Sequence, residues 1–186
     1  MRASARAGDL VRTDVRFFLP INQGGLNVGL AAVAEERGSC HSGSLADAGR
    51  PDAWRCSAGN AILDPCFASP FALPDDPGQL ACAESPFTGD VVLLTPTEPL
   101  PVQDANQPFA DYPDQLPWAL ELANGEQCTL LTGATVGIAT LRLNYGCAGQ
   151  GSVIGNPDRS ADLWLVSYLP QDGIATGLVE VATAWY

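Results

Sequence analysis

The chain has 186 residues, 46% of them hydrophobic and only 16% charged, with a formal net charge of −12 and a pI near 4.2. This length fits one domain with ample material for a core. The negative charge excludes nucleic acid and anionic membrane surfaces as partners. No hydrophobic run reaches the roughly 20 residues of a membrane-spanning helix. Residues 1–15 lack the apolar segment of a signal peptide, so we expect the targeting segment of an exported protein to have been removed.

The first fifty residues predict an arm, a strand and short helices. Residues 1–12 combine arginines with small residues and are predicted to form a flexible arm. Apolar residues then alternate over 15–21, which is typical of a strand. The stretch 26–37 is rich in alanine and glutamate and predicts a short helix, although a strand over 26–33 fits nearly as well. Pro51-Asp52 suits the first turn of a second short helix.

Two proline-rich segments, 68–90 and 96–117, predict long loops. Between Cys56 and Leu141 the chain has no Lys, Arg or His but eleven carboxylates. Because these acids are spread out rather than run together, a solvated acidic surface is the favoured interpretation. A surface for a cationic partner or a weakly bound Ca²⁺ ion is the alternative. We expect no cofactor.

A β-hairpin is the clearest local signal in the chain. Large apolar residues alternate before and after Asn124-Gly125, a dipeptide that suits a two-residue type I′ turn. Such a turn pairs Ala123 with Glu126. That register places Leu120 on one face of the hairpin and Cys128 on the other.

Further apolar runs complete the predicted fold, which is α+β and mainly β. The run 139–147 alternates cleanly, 163–168 suits a central strand, and 178–186 ends the chain. The second half is therefore an antiparallel β meander of five or six strands. Long Pro-rich loops and one or two short N-terminal helices pack against it, within a single disulfide-stapled domain over 13–186. The alternative is a curved sheet that cups a helix and encloses a ligand cavity.

The six cysteines predict disulfides rather than a metal site. Their number is even, no Cys-x-x-Cys pair occurs, and the spacing matches no zinc motif. Sequential pairing is favoured because each bridge then closes a short loop: Cys40–Cys56, Cys66–Cys82 and Cys128–Cys147. Each bridge would stabilise the fold by roughly 3 kcal/mol. Disulfides imply an extracellular or cell-envelope location, whereas six reduced thiols in a cytosolic protein are the alternative.

Four short motifs carry a resemblance to known sequences. They are Arg50-Pro51-Asp52-Ala53-Trp54-Arg55-Cys56, Asp64-Pro65-Cys66-Phe67, Pro117-Trp118-Ala119-Leu120-Glu121-Leu122 and Tyr145-Gly146-Cys147. Over roughly residues 38–186 the chain resembles uncharacterised exported, disulfide-stabilised proteins of GC-rich bacteria. The resemblance implies export and disulfides and brings no activity with it.

The candidate binding residues flank two of the cysteines. They are His41, Arg50, Asp52, Trp54 and Arg55. Two arginines in an otherwise acidic region favour an anionic or carbonyl-bearing ligand, with Trp54 as a stacking platform. Internal ion pairs and packing of the indole in the core are the competing interpretation.

Signals for catalysis are weaker than signals for binding. The chain has one histidine, His41, and no G-x-S-x-G, P-loop or EF-hand pattern. The sequence therefore favours a non-catalytic extracellular or cell-envelope module that binds an unknown protein or small molecule. The alternatives are a secreted hydrolase that uses loop carboxylates or His41, and a small-molecule binder built on a curved sheet.

Overall fold

The computed structural model describes residues 10–23, 25–71, 78–101, 115–135, 137–138 and 141–186. The described residues form fifteen strands and no helix. The strands are β1 (Asp14–Arg16), β2 (Ile21–Asn22), β3 (Gly25–Leu26), β4 (Ala31–Gly43), β5 (Ala53–Ala58), β6 (Ala61–Phe67), β7 (Leu80–Cys82), β8 (Asp90–Pro96), β9 (Ala119–Leu122), β10 (Gln127–Leu130), β11 (Gly137–Ile138), β12 (Leu141–Cys147), β13 (Ser152–Asp158), β14 (Leu165–Leu169) and β15 (Gly177–Trp185).

The chain divides into two compact units. The terminal unit consists of Met1–Phe17 and Leu116–Tyr186, and the middle unit consists of Phe18–Gln115. That the two units act as one domain over 13–186 stays a prediction. The predicted arm lies largely outside the described residues, which begin at position 10.

Each unit contains a small closed barrel of strands that follow one another in the chain. In the middle unit β4 to β8 pair antiparallel in sequence order, and β8 closes the barrel by pairing parallel to β4. The barrel of the terminal unit also pairs its strands antiparallel in sequence order, through β9, β10, β12, β13, β14 and β15. Here the last strand, β15, closes the barrel by pairing antiparallel to β9. One barrel closes with a parallel pair and the other with an antiparallel pair because the first has five strands and the second has six. The first and last strands of an up-and-down barrel run the same way when the strand number is odd and opposite ways when it is even.

One long strand changes neighbours in the middle unit. β4 has 13 residues, of which Ala31–Gly38 pair with β8 and Ser39–Gly43 pair with β5. The change occurs at Gly38, where a Cβ atom would lie 2.0 Å from the carbonyl oxygen of Ser57. Only glycine allows the two backbones to approach this closely.

The barrel interiors are filled with side chains. The core of the terminal unit includes Leu120, Tyr145, Val166, Val181 and Tyr186. In the middle unit, apolar residues pack around the cysteines of two disulfides: Trp54, Ala58, Ala68, Leu80 and Leu94. The inward faces of both barrels therefore form packed cores, as expected for barrels of five or six strands.

The predicted N-terminal helices are wrong, and with them the α+β class. The alanine- and glutamate-rich stretch 26–37 lies largely in β4, and Pro51-Asp52 forms a turn before β5. Helix propensity is worth only tenths of a kcal/mol per residue, whereas pairing with β8 satisfies the backbone along the strand. The alternative fold lacks its central helix in the described part of the chain. The middle unit thus forms a barrel of its own, where the sequence predicted loops and helices packed against a sheet.

The predicted hairpin is present, but its register is shifted by one residue. Cys128 pairs with Leu120, and Leu122 exchanges backbone hydrogen bonds with Gly125 and Glu126 around a three-residue loop. Gly125 has a φ of 88°, which closes such a loop in place of the type I′ turn. The amide of Ala123 instead donates to the carbonyl of Glu180 in β15. As a result Cys128 is on the core face and fully buried.

The three sequential disulfides are confirmed: Cys40–Cys56, Cys66–Cys82 and Cys128–Cys147. Each joins residues that lie directly opposite each other on adjacent antiparallel strands. The described residues contain no free cysteine.

We predict that Gly38→Ala destabilises the protein by about 1–3 kcal/mol, because the new methyl group overlaps the backbone of Ser57. Gly177→Ala is the matched control, since a Cβ there has no neighbour within 4 Å. Urea unfolding under non-reducing conditions measures both. Equal stabilities of the two variants would contradict the close approach at Gly38.

Candidate functional site

Polar side chains gather beneath the loop that joins β4 to β5. We call this set the buried polar cluster: Ser44, Asp47, Arg50, Asp52, Arg55 and Asp64. The loop begins at Ser44, whose hydroxyl oxygen accepts hydrogen bonds from the amides of Ala46 (3.1 Å) and Asp47 (2.9 Å). The Ser44 amide in turn donates to the carbonyl of Ala53 at the start of β5. Ser44 therefore caps a tight turn at the end of β4, as serine commonly does.

Asp64 is the acceptor at the centre of one half of the cluster. Its Oδ1 accepts from the Ser44 hydroxyl at 2.5 Å. Its Oδ2 accepts from the Leu45 amide at 3.2 Å and from Nη1 of Arg55 at 2.8 Å. The side chain is 5% exposed, so three donors hold a nearly buried charge in place. This arrangement ties strand β6 to strand β5 and to the loop.

Arg50 and Asp52 form the other half of the cluster. Two nitrogens of the guanidinium, Nε and Nη2, donate to the two oxygens of Asp52 at 2.9 and 2.6 Å. Nη1 donates to the carbonyl of Phe18, and the guanidinium lies 4.6 Å from the centroid of the Phe67 ring. Such a two-pronged pair over an aromatic ring is a rigid, desolvated arrangement.

The carboxylate of Asp47 is buried. It has no exposed surface, and neither carboxylate oxygen has a hydrogen-bond partner among the described residues. The Nε atom of Arg50 is 3.9 Å away, too far for a hydrogen bond. Burial raises the pKa of Asp47 to about 7, and the nearby charge of Arg50 only partly opposes this. The charge of Asp47 therefore changes near neutral pH.

The structure uses the predicted site residues in different ways. Arg50 pairs with Asp52, Arg55 pairs with Asp64, and Trp54 is 7% exposed within the core. His41 is on the surface of β4, where its Nε2 lies 2.8 Å from the hydroxyl of Ser57 on β5. A binding role for these five residues stays a prediction. Internal contacts account for four of them without it.

No family model, no curated protein and no solved structure matches the chain.

In the part of the chain that the structure describes, neither a metal-binding cluster nor a membrane-spanning helix is found. No three His, Cys, Asp or Glu side chains there lie close enough to share a metal ion. Among the same residues no helix is long and apolar enough to cross a membrane. Of the eleven carboxylates between Cys56 and Leu141, five lie outside the described residues: Asp75, Asp76, Asp104, Asp111 and Asp114.

Sequence reasoning missed two carboxylates of the cluster, the buried Asp47 and the hydrogen-bonded Asp64. The sequence contains one signal for the position of Asp47. Ser44-Leu45-Ala46-Asp47 fits the S-x-x-D pattern of a serine that caps a turn, which places the Asp47 amide beside the serine hydroxyl. No local pattern indicated Asp64, because its donors come from two other segments of the chain.

We predict that Asp47 makes the protein less stable as the pH rises from about 4 to about 7. The pKa of an unfolded aspartate is about 3.9, so between these values the folded protein holds a proton that the unfolded chain has lost. The loss amounts to about 4 kcal/mol at most, and it is complete above pH ~7.

The isosteric variant Asp47→Asn cannot ionise and should flatten this part of the stability profile. Asp90→Asn, which changes an exposed carboxylate, should leave the slope intact. Urea midpoints across the pH range measure both variants. An unchanged slope in Asp47→Asn would rule out the buried carboxyl as its source.

We predict that Asp64→Ala costs about 2–3 kcal/mol of stability, since it strands the guanidinium of Arg55 and the hydroxyl of Ser44. The control is Asp90→Ala, which should change stability by about 0.5 kcal/mol or less. Thermal melting at constant pH compares the two. A similar effect in both variants would show that Asp64 does not organise the loop.

Proposed function

We propose that the protein is a non-catalytic binding or interaction module that acts outside the cytoplasm, in the extracellular space or at the cell envelope. Three cross-strand disulfides support this location, because such bonds persist in oxidising compartments. The proposal agrees with the resemblance to exported, disulfide-stabilised proteins that the sequence suggests.

The uneven distribution of charge carries the proposal. Positions 18–115 contain thirteen carboxylates and three arginines, a formal charge of −10 out of the total of −12. Arg50 and Arg55 are paired with Asp52 and Asp64, so they contribute little positive potential to the surface. The exposed carboxylates among the described residues of the middle unit are Glu35, Glu36, Glu84, Asp90 and Glu98. Such a field attracts and orients a cationic partner.

A secreted hydrolase is the second candidate, and one contact favours it. The 2.8 Å distance between His41 Nε2 and the Ser57 hydroxyl is that of a base and a nucleophile. Both groups are on the outer surface of the barrel, and no carboxylate among the described residues hydrogen-bonds the imidazole. A serine nucleophile ordinarily needs such an orienting group together with an oxyanion hole.

Binding of poly-L-lysine tests the interaction module directly. We expect the wild-type protein to bind poly-L-lysine but not poly-L-glutamate, and to lose this binding as salt rises to about 0.5 M. The double variant Glu84→Gln, Glu98→Gln should weaken binding several-fold. The control Asp162→Asn, Asp172→Asn removes two exposed carboxylates of the terminal unit and should have a smaller effect.

Equal effects of the two double variants would contradict a binding surface in the middle unit. Turnover of ester, peptide or glycoside substrates by the wild type is the opposing result. If His41→Gln and Ser57→Ala both abolish that turnover, the hydrolase replaces the binding module.

A further inference from the structure

Among the described residues, the first half of β4 has a strand neighbour on one side only. Ala31–Gly38 pair with β8, whereas β5 pairs with β4 only from Ser39 onward and ends at Ala58. No other strand among the described residues pairs with this segment. We call it the free edge of β4. An unpaired edge presents backbone donors and acceptors in the spacing of a strand.

Backbone hydrogen bonds show which groups point toward the free edge. The Ala31 amide donates to the carbonyl of Gly89, and the Gly38 carbonyl accepts from the amide of Thr97, so both face β8. Because successive residues of a strand direct their backbone groups to alternate sides, Glu35 and Arg37 face away from β8. The N–H and C=O groups of these two residues are therefore available to another strand.

Side chains leave the free edge accessible on both faces. The exposed residues are Ala31, Ala32, Val33, Glu35, Glu36 and Arg37. Two features discourage indiscriminate pairing: a bulge between Ala32 and Ala34, and the adjacent carboxylates of Glu35 and Glu36. A second copy of this chain would bring the same carboxylates together, which is unfavourable for a protein of charge −12.

We propose that the free edge of β4 accepts an extended, lysine- or arginine-bearing segment of a partner protein as an additional strand. Backbone hydrogen bonds at Glu35 and Arg37 provide the pairing. The carboxylates of Glu35 and Glu36, together with Asp90 at the start of β8, select basic side chains. This inference rests on the proposed function and specifies where and how the partner binds.

A synthetic peptide of about ten residues that alternates threonine and lysine is the probe. We expect it to bind the wild-type protein and to shift the NMR amide signals of residues 31–38. Two control peptides are compared: one with glutamate in place of lysine should fail to bind, and one N-methylated at alternate residues on the edge that would pair should bind much more weakly. The methylated peptide keeps all its charges, so it separates strand pairing from simple attraction.

Two variants of Glu35 separate strand pairing from charge attraction in the protein itself. Glu35→Pro removes an N–H that faces away from β8, and should weaken peptide binding at least about tenfold through loss of a backbone hydrogen bond and a clash with the added strand. Glu35→Thr removes the same charge but keeps the N–H, and should weaken it only about two- to threefold. Ala34→Pro, at a position directed toward β8, should instead lower the melting temperature.

Several results would overturn the inference. They are equal binding of the methylated and unmodified peptides, equal affinities of Glu35→Pro and Glu35→Thr, and amide shifts that map away from β4. Dimerisation of the wild type that Glu35→Pro abolishes would assign the edge to a second copy. If Glu35→Pro binds poly-L-lysine and the peptide as the wild type does, strand addition fails while the acidic binding module stands. If poly-L-lysine does not bind the wild type, the proposed binding module is itself contradicted.

Discussion

Covalent bonds between opposed residues of neighbouring strands are the constraint on which both barrels depend. Each unit has roughly 90 to 100 residues and a core built from a handful of large side chains. Domains of this size gain limited stability from burial alone, so cross-links contribute a large share. Two disulfides lie in the middle unit, between β4 and β5 and between β6 and β7, and they fix the register on either side of the β5–β6 hairpin.

The disulfides also explain why the middle unit tolerates unfavourable polar burial. Asp47 is a buried carboxyl without a hydrogen-bond partner among the described residues, at a cost in free energy at neutral pH. It lies in the loop between two strands that Cys40 and Cys56 join, so the loop stays closed when the carboxyl ionises. The same rigid frame holds β4 extended past the end of β5, so that one edge of its first half is unpaired in the described part of the chain.

Sequence reasoning succeeded where a single pairing decides the structure. The even cysteine count and short loop lengths predicted all three disulfides, and alternating or continuous apolar runs predicted most strands of the second half. It failed where pairing with a segment that is distant in the sequence determines the local structure. The stretch 26–37 has the composition of a helix, but β8, more than fifty residues away, pairs with it. Likewise, the hairpin register shifts because the Ala123 amide bonds to Glu180 of β15 rather than closing a two-residue turn.

Only part of the membership of the candidate site was predictable from the sequence. The arginines and Asp52 were singled out by their scarcity and proximity, yet their partners follow from the barrel and not from local spacing. Asp64 acquires its role because β6 passes beside the loop that Ser44 caps. Closed barrels bring together residues from neighbouring strands, and a one-dimensional pattern cannot show which carboxylate will be covered.

Non-reducing proteolytic digestion followed by mass spectrometry tests the central claim most directly. The account predicts three cross-linked peptide pairs that contain Cys40 with Cys56, Cys66 with Cys82, and Cys128 with Cys147, and no alkylated cysteine in the native protein. Any other pairing would contradict the strand registers that place these cysteines opposite each other, and free thiols would contradict the oxidising compartment inferred from the disulfides.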